Sequence, residues 1–315
     1  MIPPRFTVIV PCHNAAATID ATLDSVEAQT YRDFEVVVVD DGSTDDSRAH
    51  VIRRARATPW LCLSRQHRQG VSAARNAGAA AASGEILVFL DADDLLMPAA
   101  LQVLSDVFHD RPDAVGAIGR VSFLTPDGLP TGTVSAVPPP HLRPTDILGE
   151  NPACTGSNII VRRTAFLETG GFHEGLTHAE DQEFLFRLGA DGYGPIIGLP
   201  DVLAGYRCNP GGAHANLAAM EKGWERMVAA AAERHPAIVA NGYCRAKARH
   251  LRMLARRALR DPASAGLALH LLGRSLRRDP RLLFDIRRTL PTLAAALIAA
   301  VPLPRCRRWV SRLAA

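Results

Sequence analysis

Short apolar runs alternate with longer amphipathic stretches through the first hundred residues, the pattern of strands joined by helical crossovers. Strands are predicted at residues 6–10, 35–39, 61–63 and 86–90, and helices at 15–28, 44–56, 71–82 and 98–108, the third helix being rich in alanine. This alternation predicts an α/β fold with a mostly parallel, Rossmann-like sheet flanked by helices. Polar residues close three of the strands: Pro11-Cys12-His13-Asn14, Asp40-Asp41-Gly42-Ser43 and Asp91-Ala92-Asp93. The carboxyl ends of parallel strands open on one crevice, so these clusters are expected to share a site.

Between residues 114 and 206 the pattern is less regular, with a Pro-Asp-Gly turn at 126–128, a proline-rich loop at 137–144 and a helix expected at 181–188. Beyond Gly211-Gly212 the chain reads as mainly helical. The expected division is therefore an α/β domain at 1–215, with a ligand-binding half at 1–110 and a half receiving a second substrate at 111–215. A helical, basic region at 216–315 follows it.

The most telling chemistry lies where Leu87-Val88-Phe89-Leu90 runs into Asp91-Ala92-Asp93-Asp94. On an extended backbone alternate side chains share a face, so Asp91 and Asp93 are expected to converge on one hard divalent ion. Without a cation the two charges would repel, and one carboxylate would stay partly protonated. Mg2+ or Mn2+ held by one or two carboxylates completes its shell with water and substrate phosphates, which points to a diphosphate ligand. The plainer alternative is that Asp91 to Asp94 cap the helix predicted at 98–108.

Composition narrows the class. With 47% hydrophobic and 22% charged residues the chain reads as globular rather than disordered. Its six cysteines form no Cys-x-x-Cys pair and no zinc-like spacing, so neither a disulfide framework nor a structural zinc is indicated, and a reducing compartment is expected. The first residues lack the features of a secretory signal, which predicts a cytoplasmic protein. The net charge of +4 hides an asymmetry: residues 245–315 carry 17 Lys plus Arg against three Asp, leaving 19 against 29 in residues 1–244.

Five separated motifs, in order and spacing, resemble the family 2 glycosyltransferases of the GT-A fold. They are Val8-Ile9-Val10-Pro11-Cys12-His13-Asn14, Val39-Asp40-Asp41-Gly42-Ser43-Thr44-Asp45, Ala74-Arg75-Asn76-Ala77-Gly78, the strand ending in Asp91-Ala92-Asp93-Asp94, and Glu180-Asp181. The resemblance spans about residues 5–210. It implies an inverting, metal-dependent transferase that takes a nucleotide-diphosphate sugar, with UDP as the expected nucleotide.

Residue by residue, the likeness places Asp40 and Asp41 near the nucleoside and Pro11 and Asn14 in the loop that walls it. Arg75 is implied at ribose or phosphate, Asp93 at the metal, and Asp91 at ribose or metal-bound water. Asp181 is implied as the base that takes the acceptor hydroxyl proton, with Glu180 beside it. A carboxylate at a helix start is kept ionised by backbone N–H groups. Tyr206-Arg207 followed by His214 is similar to a segment that closes over the diphosphate, where His214 would be a further metal ligand. The purely structural alternatives are an Asp-Gly-Ser turn, a surface arginine and first-turn acids.

In the C-terminal region, arginines and leucines at helical spacing predict an interfacial contact with an anionic membrane, each basic residue adding about 1 kcal/mol. The uncharged stretch at 289–304 is 16 residues long, short of the roughly 20 that span a bilayer, and prolines interrupt it. It reads as an interfacial anchor; the alternative is a helical bundle packed on the first domain or forming a homodimer. Nucleic acid is not expected, because no reading motif is present and residues 1–244 are acidic. The acceptor implied is a glycan or a lipid-linked molecule, and the protein is expected on the inner face of the cytoplasmic membrane. The rival functions are a non-catalytic nucleotide-sugar-binding scaffold and a nucleotidyltransferase. The second would need a glycine-rich phosphate loop, which is missing.

Overall fold

The structure is a computed structural model that describes residues 3–208, 216–259, 261, 264–286 and 288–300. The described residues divide into two compact units, 3–143 with 151–208, and 144–150 with those from 216 onward.

In the first unit, strands β1 (Phe6–Cys12), β2 (Phe34–Asp41), β3 (Leu61–Gln66) and β4 (Ile86–Phe89) lie parallel in the order β3-β2-β1-β4. Helices α1 (Ile19–Glu27), α2 (Ser47–Ala57) and α3 (Val71–Ala81) make the crossovers. The central strands are buried on both faces, which is why they read as unbroken apolar runs. One face sends Val8, Val10, Val36 and Val38 into the main core with Ile19, Leu23 and Val26 of α1. The other face sets Val37 and Val39 against Ala74 of α3. The alanine-rich helix has a reason: a Cβ at Gly78 would stand 2.4 Å from Ile9 Cγ2, so small residues let α3 lie close to the sheet.

Past β4 the sheet becomes mixed. Strand β5 (Leu95–Leu96), β6 (Gly116–Leu124), β7 (Pro130–Val134), β8 (Ile160–Arg162) and β9 (Ile196–Arg207) continue it in the order β4-β8-β6-β9-β5. Here β8 runs antiparallel to β4 and β6, β9 runs parallel to β6, and β7 forms a hairpin on β6 around the turn at Pro126 to Gly128. Helices α4 (Ala100–Asp110), α6 (Arg163–Thr169) and α7 (Glu180–Ala190) complete this unit; α5 (Pro144–Gly149) belongs to the second.

Two helices start later than their apolar pattern predicts, α1 at Ile19 and α2 at Ser47. The residues before them bind one another instead. Asn14 Oδ1 accepts from the Thr44 N–H at 2.8 Å, Ala16 N–H donates to Asp45 Oδ2 at 3.0 Å, and Ala15 N–H donates to Ser47 Oγ at 2.7 Å. The polar groups that would have capped each helix thus tie together the loops after β1 and β2.

The second unit holds α8 (Leu217–Arg234), α9 (Pro236–Ala258), α10 (Ala265–Arg278) and α11 (Thr289–Ala300), with a 3-10 helix at Pro280–Phe284. Trp224, fully buried, donates its indole N–H to Leu148 O at 2.8 Å and stacks on His250 at 4.8 Å. Ala295 and Ala296 of α11 pack with Ala258, Leu259 and Ala268, so the first part of the expected anchor stretch contributes to a helical core; residues 301–304 lie outside the described ones. Among the described residues no helix is long and apolar enough to cross a membrane.

Candidate active site

A cleft of about 450 Å³ opens at the carboxyl ends of β1 and β2 and beside the turn after β4, lined among others by Pro11, Asn14, Asp41, Arg68, Asp91 and Asp93. Strand ends of a parallel sheet supply these residues because the crossover helices leave that edge open. Asn14 has a positive φ of 51°, an uncommon conformation outside glycine that its Thr44 hydrogen bond holds. Asp41 lines the cleft with both oxygens engaged: it accepts from Gln66 Nε2 at 2.8 Å and from the N–H groups of Gln69 and Gly70 at 2.7 and 2.9 Å. It therefore shapes the loop before α3. Asp40, 3% exposed, accepts from the Ser43 N–H at 3.0 Å and is not among the lining residues. The same loop brings in Arg68, which touches His13 Nε2 while His13 Nδ1 donates to Asp41 O at 2.9 Å. Sequence reasoning missed Arg68, which follows no strand-end motif.

The acidic run does not stay extended. Asp94 N–H donates to Asp91 O at 3.0 Å, so residues 91–94 form a turn, and it is this turn rather than strand alternation that presents Asp91 and Asp93 to the cleft. The turn is nailed down from behind by Asp94, 1% exposed, which accepts from Ser157 Oγ at 2.5 Å, Thr155 Oγ1 at 3.2 Å and Arg207 N–H at 2.9 Å. Burial, and then the neighbouring Asp91 and Asp93, push the Asp94 carboxyl well above the usual range. Arg207 donates from Nε to Asp93 O at 2.7 Å and from Nη1 to Pro126 O at 2.8 Å, a buried strut under the turn rather than a closing lid. His214 lies outside the described residues.

Arg75, 2% exposed, does not line the cleft. Its Nη2 donates to Asp91 Oδ1 at 2.7 Å and its Nη1 to Glu180 Oε1 at 3.1 Å, with the guanidinium 5.2 Å from the Phe172 ring centroid. Burial works against its charge, but Asp91 and Glu180 outweigh that and hold it firmly protonated. Part of the charge the acidic turn requires thus comes from the protein itself. Beside it, Asn76 Nδ2 donates to Phe172 O at 2.9 Å, fastening residues 172–174 to α3.

Helix α7 is anchored by its own buried pair, Arg187 Nε to Glu183 Oε1 at 2.5 Å, and by Arg187 donating to Thr169 O and Gly171 O, each at 2.6 Å. It begins after Ala179, whose φ of 60° is left-handed. Strain of this kind persists only where the surroundings enforce it. Asp181 in the first turn accepts from Asn151 Nδ2 at 2.6 Å and from the Gln182 N–H at 2.8 Å. Desolvation and then Glu180 push its carboxyl up to about 6, against the opposing pull of Arg75. That leaves a carboxylate ionised at neutral pH yet basic enough to accept a proton.

Among the described residues no group of three or more His, Cys, Asp or Glu is arranged to hold a metal. Two carboxylates on a cleft wall do fit a hard ion that keeps water and phosphate oxygens as its other ligands. Asp91 and Asp93 are the carboxylates on that wall.

A family model described as Glycosyl transferase family 2 matches residues 7–170. An uncharacterized glycosyltransferase of Nostoc sp. (strain PCC 7120) is 40% identical over 121 residues, 38% of this chain and 37% of the relative. The O-antigen biosynthesis protein RfbC of Myxococcus xanthus is 29% identical over 195 residues, 59% of this chain and 14% of the relative. The chain spans less than two thirds of the length of these relatives. Among solved structures, the mannosyltransferase PcManGT of Pyrobaculum calidifontis, in complex with GDP-Man and Mn2+, matches with a TM-score of 0.60 at 24% identity, covering 99% of this chain and 84% of that one. That likeness is one of fold.

Proposed function

Because the chain belongs to glycosyl transferase family 2, we propose that it is an inverting enzyme that moves a sugar from a nucleotide-diphosphate sugar, with Mg2+ or Mn2+, to a hydroxyl of a lipid-linked or polysaccharide acceptor. One observation carries this reading. The buried Arg75 joins Asp91 to Glu180 at 2.7 and 3.1 Å, so that the acidic turn and the helix start bearing Asp181 are held by one cation.

In this reading Pro11, Asn14, Asp41 and Arg68 hold the nucleotide in the cleft they line. Asp93 and Asp91 would hold the metal ion, which when bound supplies positive charge against that of the departing diphosphate. Arg75 holds the Asp91 carboxylate in place, and Arg207 fixes the backbone of Asp93. Asp181 takes the acceptor proton, oriented by the amide of Asn151. Glu180, paired with Arg75, raises the basicity of Asp181 by its charge.

A UDP-sugar is the first donor to test, with GDP-sugars second because the Pyrobaculum enzyme was solved with GDP-Man. The RfbC resemblance favours a cell-envelope glycan as acceptor. Residues 245–315, with 17 basic residues against three acidic, would bring the enzyme to an anionic membrane where lipid-linked acceptors reside.

The test is a screen of nucleotide sugars for release of nucleoside diphosphate, with and without Mn2+, comparing wild type with Asp93→Ala. Release that needs the metal and disappears in the variant is the expected result. Equal release by the two proteins would remove the metal role.

A further inference from the structure

The helical unit has a second cleft, of about 330 Å³, between α9 and the segment that follows α10. Arg245 and Arg249 line it from α9, and Arg281 lines it from the 3-10 helix Pro280–Phe284. Two carboxylates share the wall, and one of them is ion-paired. Asp285 Oδ2 accepts from the buried Arg252 at 2.5 Å, and Asp279 Oδ1 accepts from the Arg281 N–H at 3.1 Å. Arg249 reaches Asp146 at 3.3 Å, whereas the exposed side chains of Arg245 and Arg281 meet no acid among the described residues. With Asp285 paired to Arg252 and Arg249 to Asp146, Arg245 and Arg281 outnumber the remaining acid, Asp279, and the cleft keeps a net positive charge.

At its rim the chain does something unusual for a water-facing surface. Phe284 is 83% exposed, Ile286 65% and Leu283 44%, while Leu282, which also lines the cleft, is buried. Apolar residues clustered in sequence on a projecting turn and bordered by cations are suited to a boundary that is apolar on one side and anionic on the other.

We infer that this corner docks on an anionic phospholipid bilayer, with Leu283, Phe284 and Ile286 entering the headgroup boundary and Arg245 and Arg281 facing lipid phosphates. Charge complementarity selects this occupant: residues 245–315 carry 17 Lys plus Arg against three Asp. The inference gives the membrane contact of the proposed function a definite place, and it rests on that part of the reading. It also moves the contact away from residues 289–300, whose Ala295 and Ala296 are spent on helix packing.

The experiment sediments the full chain with phosphatidylcholine vesicles, with and without phosphatidylglycerol, in the absence of donor and acceptor. The wild type is expected to bind only the vesicles containing phosphatidylglycerol, and less as salt rises. The pairs Phe284→Ser with Ile286→Ser, and Arg245→Glu with Arg281→Glu, should each bind about tenfold or more weakly, since each removes one of the two attractions. Both should still release nucleoside diphosphate from a soluble donor, which shows that they fold. As a gain-of-signal check, Phe284→Trp should be quenched by brominated lipid beyond the level of the three native tryptophans. Undiminished binding by either pair overturns the inference, as does a dimer in light scattering that Phe284→Ser with Ile286→Ser dissolves. A wild type that ignores both vesicles removes the membrane contact altogether, while donor turnover still reports on the transferase reading by itself.

Discussion

Position 156 has no room for a side chain because Arg75 fills it: a Cβ on Gly156 would stand 2.2 Å from Nη2 of Arg75 and 2.7 Å from its Cζ. The next residue, Ser157, donates from Oγ to Asp94 at 2.5 Å and accepts from the Asp91 N–H at 3.0 Å. One short turn between α5 and β8 therefore decides both where the acidic turn sits and where its internal counter-charge lies.

Gly156→Ala should displace the Arg75 guanidinium, which is 2% exposed and cannot swing into water without abandoning Asp91 and Glu180. We expect a stability loss of about 1–3 kcal/mol, the range for overpacking, and donor turnover reduced by tenfold or more. Thermal melts and nucleotide release measure the two. Wild-type values in both would show that the guanidinium has another resting place.

Arg75→Met leaves Asp91 and Glu180 facing each other without a cation, and removing one partner of a buried pair costs about 3–5 kcal/mol. Arg75→Lys supplies a compact point charge that cannot fork to two carboxylates. It should recover part of the stability. Because the Arg75 charge also pulls the Asp181 carboxyl down, activity of the methionine variant should show an apparent pKa above that of wild type, with the lysine variant, which keeps the charge, closer to wild type. A pH profile unchanged by the methionine substitution would uncouple Arg75 from the base.

For Asp181 the sign is set by a folded pKa of about 6 against an ordinary value of 3.8. Turnover should rise with pH through about 6 as the carboxyl ionises. Stability should run the other way, because the folded state holds the proton more tightly between pH 4 and 6 and gives up stability as pH rises through that window. Asp181→Asn should accordingly lose turnover, keep donor binding, and gain on the order of 1 to 3 kcal/mol at pH 7.5, a gain that vanishes near pH 4. Near-normal turnover by the asparagine variant would exclude Asp181 as base.

His250 in the helical unit is 3% exposed, with neither ring nitrogen hydrogen-bonded. Burial, and then Lys247, hold its pKa down at about 3. Below the ordinary value of 6.5 the unfolded chain takes up a proton that the folded one refuses, so stability falls on acidification by about 1.4 kcal/mol per pH unit. His250→Phe keeps a ring against Trp224 and should flatten that acid limb when urea unfolding is compared at pH 5 and pH 7. An identical slope would assign the acid sensitivity to other groups.

Much of the first unit was legible because its residues answer to local rules. The strands around Val8, Val37 and Val88 are buried on both faces, and no other element reads as so short and continuous an apolar run. Clustering of Asn14, Asp41, Asp91 and Asp93 followed from parallel strand ends sharing an edge. By contrast, β6 and β9 were not anticipated, because bulges between Ile118 and Val121 break the alternation that marks a strand. The second row of the site stayed hidden as well. Asn151, Thr155, Gly156 and Ser157 sit in a loop with no periodicity, and Arg68 sits in another.

The sequence by itself determined which residue types stand at the strand ends, since hydrophobic period and turn chemistry are properties of neighbours along the chain. Only the tertiary structure decided what those residues meet. Arg75 lies 16 positions from Asp91 and 105 from Glu180, yet binds both. Whether an arginine ends on the surface, on a ligand or buried between two acids depends on the space left by distant residues such as Gly156. That space is created by packing, and no local pattern encodes it.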